Sequence, residues 1–315
     1  MSAIDRLGID AASFSGPQEE YSNSQQQTQS TFAFKWSKRD TYESPAVQDT
    51  VRCWLHEKYC SGDKRVLTDW LEGGRKLILD AGCGSGFSAG LFFGDELRRH
   101  DYLGVDISDS CNVARTRFSQ MGYPGDFIQA SLDDNRIPKG AFDIVFSEGV
   151  LHHTDNTQRS ISVLAEKLKK GGRFLFYVYA KKAVIREFTD DYIRQFLKPL
   201  SDEEAWEALY PLTKLGVSLG RINQTIEVEE DIPCLGIKKG KLDLQRFFYW
   251  NVCKAFFRPD YSLDEMNHLN FDWFRPLNCH RQSPEEVRSF CDKANLEIER
   301  MNVEEAGITV VAKKL

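Results

Sequence analysis

KLILDAGCGSGFSA, running from Lys76 to Ala89, sets the architecture of the chain. Lys76 to Asp80 is a short apolar run closed by a carboxylate, followed by Gly82, Gly84 and Gly86 and then by a helix-like segment from Phe87 to about Arg99. That order predicts a buried parallel strand, a glycine turn and a helix N-terminus. A tight turn needs positive φ, and a ligand that must approach bare backbone needs glycine; the helix start adds free N–H groups. The turn therefore reads as a cradle for a nucleotide or nucleoside.

Spacing separates the two cofactor classes that use such a turn. In a dinucleotide fingerprint, GxGxxG, the third glycine would fall on Phe87, whose ring would crowd the close packing that glycine permits. A nicotinamide-dependent oxidoreductase is therefore disfavoured. The run DAGCGSG instead resembles motif I of the class I S-adenosylmethionine-dependent methyltransferases.

Downstream segments continue that resemblance. Tyr102 to Asp106 (YLGVD) is a second strand, and Asp106 stands where an acidic side chain would accept from both ribose hydroxyls, with Ile107 next to it for an adenine face. Asp126 to Ala130 is a third strand, followed by Ser131, Leu132 and Asp133. The family commonly carries an acidic residue at the position of Ser131, so this chain departs from the pattern there. The FDIVFSEGVLHHT run (Phe142 to Thr154) gives a fourth strand, Glu148 and a His152-His153 pair, and KLKKGGRFLFYVY gives a helix end and a fifth strand. A capping box at Ser283–Glu286 opens a last helix, and two strands end the chain. The resemblance implies an α/β, Rossmann-like, seven-stranded and mostly parallel sheet with helices on both faces, to which the chain's own periodicity adds an inserted helical cap.

The expected divisions are a flexible, Ser/Gln/Asn-rich tail over 1–31, an aromatic segment and helices over 32–75, core over 76–180, a helical cap over 181–281 and returning core over 282–315. In the cap, Ile185, Phe188, Tyr192 and Phe196 recur at helical spacing, as do Trp206, Leu209 and Tyr210 behind another capping box. The stretch Asn267 to Arg281 reads as an aromatic-rich loop. An insertion after the fifth strand lies over the carboxyl edge of the sheet, where open α/β folds bind ligands.

Methyl transfer from a sulfonium is an in-line displacement on an already activated electrophile, so the protein supplies orientation, water exclusion and, for a hydroxyl or carbon acid, a base. The resemblance assigns S-adenosyl-L-methionine to Asp80, Gly82, Gly84, Gly86, Asp106, Ile107, Ser131, Leu132 and Glu148. His152 and His153 are the candidate bases, since imidazole titrates near neutral pH; the pair could equally only shape its loop. Trp36, Tyr42, Asp272, Trp273, His280 and Arg281 are the expected substrate contacts, with Arg281 or Arg275 on an anionic group and Asp272 or His280 on a hydroxyl.

Composition narrows the rest. The 315 residues carry a net charge of −6 and a pI of about 5.6, which leaves no electrostatic footprint for a nucleic-acid backbone. Eight scattered cysteines contain no CxxC pair, arguing against zinc and for reduced thiols in a cytoplasmic protein. No metal is expected, and no apolar run reaches membrane-spanning length. SEGVLHH lacks the Asn/Asp-Pro-Pro-Tyr signature of planar-nitrogen methylation. The expected acceptor is a small molecule, most plausibly a hydroxyl of a sugar or natural-product-like compound. N- or C-methylation, another S-adenosylmethionine reaction such as cyclisation, and a non-catalytic binding protein remain as alternatives. A homodimer is left open.

Overall fold

The computed structural model describes residues 2–14 and 21–315. Among the described residues, nine strands form two sheets. The large one contains β1 (Leu77–Ala81), β2 (Asp101–Asp106), β3 (Asp126–Gln129), β4 (Phe142–Glu148), β5 (Leu168–Tyr179), β8 (Leu296–Val303) and β9 (Gly307–Lys314), in the order β3-β2-β1-β4-β5-β9-β8. β9 runs antiparallel to both β5 and β8. The strand order reverses between β1 and β4, so a crevice opens at their carboxyl ends. A separate hairpin, β6 (Thr225–Val228) with β7 (Gly240–Asp243), lies within the insertion.

Both faces of the large sheet are buried, and the pleat sorts its side chains between two cores. Leu77, Leu79, Ala81, Val145, Phe174, Phe176, Val178 and Val310 enter one. Ile78, Ile144, Phe146, Leu175 and Val311 enter the other. Twelve helices are described: α1 (Ala3–Leu7), α2 (Asn23–Ser37), α3 (Pro45–Cys60), α4 (Lys64–Leu71), α5 (Phe87–Phe93), α6 (Cys111–Met121), α7 (Thr157–Lys167), α8 (Val184–Leu197), α9 (Asp202–Ile222), α10 (Leu244–Asn251), α11 (Leu263–Phe274) and α12 (Pro284–Lys293). The first core takes in Ile161 and Leu164 of α7 and Val287 and Cys291 of α12; the second lies under α3 to α6. A third core joins Tyr177 and Tyr179, at the end of β5, to Leu197, Trp206, Leu209, Phe271 and Trp273 of the insertion. The insertion thus caps the carboxyl edge. No described helix is long and apolar enough to cross a membrane.

Three expectations are corrected. The stretch 1–31, read as a flexible tail, contains α1 and most of α2; its residues 15–20 lie outside the described residues. Helix α2 docks through hydrogen bonds, which apolar patterning cannot register: Gln29 donates to the Ile107 carbonyl at 2.6 Å, Ser22 to Asp155 at 2.8 Å, and Ser30 to Asp202 at 2.5 Å. Thr28 and Thr31 are buried among these contacts. The insertion is not helical throughout, since it holds the β6–β7 hairpin. Asn267 to Phe274, read as loop, belongs to α11, which starts at a capping box on Ser262 and Glu265.

Candidate active site

Between the carboxyl edge and the insertion lies a cavity of about 960 Å³. One end is bounded by Gly82, Asp106, Ile107, Ser131, Leu132 and Glu148, the other by Tyr177, Tyr179, Asp272, Trp273 and the insertion helices, with Trp36 and His153 also on its wall.

The glycines earn their places in different ways. All three have positive φ, 82° at Gly82, 49° at Gly84 and 69° at Gly86. Only Gly82 borders the cavity, and a Cβ there would strike the Val150 side chain at 2.4 Å. Gly84 is covered by the Trp36 indole, which a Cβ would meet at 2.6 Å, and Gly86 packs against Phe118. The close approach that glycine permits at position 84 is thus used by α2. Asp80 is also off the wall: it is buried, accepts from the Tyr102 hydroxyl at 2.5 Å, and burial pushes its carboxyl up to about 7. It anchors β1 to β2.

Asp106 is the best-organised polar group at this end. Its carboxylate accepts from the Gly84 N–H at 2.8 Å, the Ser108 N–H at 2.8 Å and the Ser108 hydroxyl at 2.6 Å. Burial raises its pKa against those bonds. The glycine turn and the strand-end carboxylate are thereby locked together. Ser131 donates to Asp133 at 2.5 Å, and Asp133 in turn pairs with Arg159 at 3.0 Å. Glu148 is fixed by the Lys58 ammonium at 2.5 Å and the Tyr59 hydroxyl at 2.5 Å, both from α3. Burial lowers the Lys58 pKa, with Glu148 opposing it. Sequence reasoning placed α3 but missed that pair.

The two histidines part company. Adjacent residues on a short 3-10 turn point in different directions, so only His153 reaches the cavity. His152 is fully buried, stacked on Tyr179 with ring centroids 3.6 Å apart, and neither of its nitrogens has a partner among the described residues. Its candidacy as a base is corrected on that ground. His153 Nδ1 lies 2.6 Å from the Asn278 carbonyl, an acceptor, so Nδ1 carries the proton and Nε2 keeps its lone pair. Nε2 has no partner among the described residues. Burial lowers the His153 pKa to about 4, so the ring is neutral near pH 7.

Of the expected substrate contacts, Trp36, Asp272 and Trp273 border the cavity. Asp272 binds the Lys35 ammonium at 2.5 Å and accepts from the Tyr179 hydroxyl at 3.2 Å. Burial opposes its ionisation, but Lys35 and Lys254 hold it well below the usual carboxylate range. Tyr42, His280 and Arg281 do not border it, and these three expectations are corrected. Tyr42 donates to the Trp36 carbonyl at 2.9 Å and buttresses that residue from behind. His280 is exposed, its N–H bonded to the His152 carbonyl at 2.8 Å, and Arg281 is drawn outward to Asp191 and Glu187.

The cavity residues that sequence reasoning missed include a cationic and aromatic group on the insertion: Lys182, Arg186, Tyr249, Trp250 and Lys254. One signal was present, the alternation Arg186, Asp190, Arg194 at a spacing of four. It marks the buried polar face of α8, where Arg186 pairs with Asp190.

Residues 79–176 match the family model described as "Methyltransferase domain". Part of the chain is similar to a tRNA U34 carboxymethyltransferase of Cellvibrio japonicus, 31% identical over 103 residues that cover 32% of this chain and 31% of that one. It is also similar to a ubiquinone biosynthesis O-methyltransferase of Azoarcus sp., 30% identical over 114 residues, covering 34% and 48%. The chain spans less than half the length of these curated relatives. Among solved structures, the 1,6-didemethyltoxoflavin-N1-methyltransferase of Burkholderia thailandensis superposes with a TM-score of 0.49 at 13% identity, covering 95% of this chain and 92% of that one.

Proposed function

We propose that this chain, whose residues 79–176 match a methyltransferase-domain model, transfers a methyl group from S-adenosyl-L-methionine to a small-molecule acceptor held beneath the insertion. The observation that carries this reading is one continuous cavity bordered at one end by Gly82, Asp106, Ile107, Leu132 and Glu148 and at the other by the insertion. The residues at the first end suit a nucleoside. Asp106 offers a fixed carboxylate to ribose hydroxyls, Ile107 and Leu132 offer apolar faces to adenine, and Ser131 with Asp133 takes the place of the acidic residue that the chain lacks. The volume exceeds what a nucleoside needs and leaves room for an acceptor.

The cofactor, when bound, supplies an activated methyl group. The chain's own part is to orient the acceptor, keep water out with α2 and the insertion, and take a proton. His153 Nε2 is the group for that last task, since it is neutral, unpaired and held in one tautomer by Asn278. A base suits a hydroxyl acceptor, and we therefore favour O-methylation of a sugar or natural-product-like compound over N- or C-methylation. The net charge of −6 speaks against a polyanionic acceptor such as tRNA.

Calorimetric titration with S-adenosylmethionine and S-adenosylhomocysteine tests the first half. Binding that weakens by about tenfold or more in Asp106→Ala, the equivalent of one charge-assisted hydrogen bond, is the expected outcome. Unchanged affinity in that variant would sink the assignment. A second copy of the chain is a further candidate partner, because Val184, Phe188, Tyr192 and Phe196 form an exposed apolar stripe along α8.

A further inference from the structure

We propose that the insertion end of the cavity binds an anionic group on the acceptor, a carboxylate or a phosphate, through Arg186 and Lys254 beside the Trp273 indole. The inference rests on the methyl-transfer reading above and adds a chemical class to its acceptor.

Three cations, Lys182, Arg186 and Lys254, line this part of the wall, and the carboxylate packed among them, Asp190, is already engaged. Asp190 accepts from Arg186 Nε at 2.7 Å and from the Trp273 indole N–H at 2.7 Å. Arg186 is wholly buried; its Nη1 donates to the Tyr249 carbonyl, but Nη2 has no partner among the described residues. Lys254 is buried too, and its ammonium lies 5.0 Å from the centre of the Trp273 ring with neither an ion pair nor a hydrogen bond among the described residues. Lys182 is satisfied by the carbonyls of Glu305 and Ala306. The next carboxylate, Asp272, is held by Lys35.

Burying a cation costs several kcal/mol unless charge and hydrogen bonds are matched, and an orphaned guanidinium N–H pair is a standing deficit. An oxyanion, carboxylate or phosphate, supplies what is missing: acceptor oxygens for Arg186 Nη2 and countercharge for Lys254. Burial and mutual repulsion both weigh against the charged forms of these lysines. Burial, with Arg186 and Lys254 adding to it and Glu187 and Asp190 opposing, lowers the Lys182 pKa to about 7. Burial lowers that of Lys254 to about 8, Asp272 and Asp190 opposing and Arg186 assisting, with the Cys279 thiol also facing it. An incoming anion raises both, so binding takes up protons between about pH 7 and 8.

The test uses the intact chain saturated with S-adenosylhomocysteine and titrated with phenyl phosphate, benzoate and benzyl alcohol, read by calorimetry and tryptophan fluorescence. The expected result is that one or both anions bind at least about tenfold more tightly than the alcohol. That preference should disappear in Lys254→Met and in Arg186→Gln while affinity for S-adenosylhomocysteine is kept, which also shows that the variants fold. Preference for phenyl phosphate assigns a phosphorylated acceptor and preference for benzoate a carboxylic one; either supports the site. Repeating the titration in buffers of different ionisation enthalpy should show proton uptake. Equal binding of all three probes, or a preference that survives both substitutions, overturns the proposal. Failure to bind S-adenosylhomocysteine would instead strike the methyl-transfer reading, and the same probes on the cofactor-free chain would still decide the anion site.

Discussion

Along β5 every second side chain, Phe174, Phe176 and Val178, enters one core, whereas along α8 the residues turned inward every fourth position are Arg186, Asp190 and Arg194. The sheet is held by apolar area and by the pleat that sorts it. The insertion and the α2 helix beneath it share an apolar core too, but add to it paired charges and side-chain hydrogen bonds: Lys35 with Asp272, Arg275 with Asp202 at 2.7 Å, and Thr41 with His268 at 2.7 Å. Apolar burial is non-directional and tolerant, while buried pairs fail abruptly when one member is removed. The two halves should therefore respond to different substitutions.

The largest effect belongs to the sheet. Phe146 is fully buried and stacked on Phe92, with ring centroids 5.5 Å apart, and Phe146→Ala should destabilise the chain by about 4 kcal/mol. Urea unfolding checks it, and a loss below about 1 kcal/mol would show that the sheet is less dependent on packing than its burial implies.

Next comes pH. His153 is neutral in the folded chain down to about 4, against a reference near 6.5, because burial disfavours its charged form. The unfolded chain therefore takes up this proton first on acidification, so the contribution is full above pH 6.5 and is lost between there and about pH 4. The span corresponds to about 3 kcal/mol at most. Asp80, raised to about 7 by burial, works in the opposite direction between pH 7 and 3.8. Subtracting the stability curve of His153→Gln from that of the parent isolates the histidine; a flat difference between pH 4 and 6.5 would contradict its buried neutral state.

Lys35→Met tests the polar half at its seam. It leaves the Asp272 carboxylate beside the Tyr179 hydroxyl without its ammonium, and a loss of about 2 kcal/mol is expected, discounted because the Asp272 side chain is 20% exposed. The double variant Lys35→Met/Asp272→Leu should recover part of it, since both charges then go together. Failure to recover any would move the cost from the ion pair to the packing of Lys35 against the Trp36 ring, 3.9 Å away.

How far the sequence could be read follows the same division. LILDA, YLGVD, FDIVF and RFLFYVY are dense in residues that belong inside a sheet, and the glycine turn and Asp106 have fixed places at strand ends. The strands themselves and the cavity end at Gly82 and Asp106 were accordingly within reach. Helix α2 was not, because SNSQQQTQS looks solvated unless the partners of its amides and hydroxyls are known. The inward face of α8 was inverted for the same reason: apolar periodicity picked out Phe188, Tyr192 and Phe196, which are 74%, 69% and 63% exposed. Nor could sequence separate His152 from His153, since neighbours on a 3-10 turn diverge only once the backbone is known.

The exposed face of α8 supplies the smallest expected effect and the sharpest test of the contrast. If Phe188 and Tyr192 face water in the isolated chain, each loses little when truncated, and Phe188→Ser should change unfolding free energy by no more than about 0.5 kcal/mol. The same substitution in any sheet strand would cost several times that. Val184, Phe188, Tyr192 and Phe196 follow one another at a spacing of four, so together they make a continuous apolar ridge about 18 Å long at 1.5 Å per residue. A ridge covered by a second copy would make stability depend on protein concentration, and Phe188→Ser would then lower both the unfolding midpoint and the sedimentation coefficient. Sedimentation velocity on parent and variant separates the two cases: an unchanged monomer with unchanged stability leaves α8 as a helix whose inner face is ionic and whose outer face is bare, while a parent dimer that the substitution dissociates makes that outer face a second apolar core, completed only between chains.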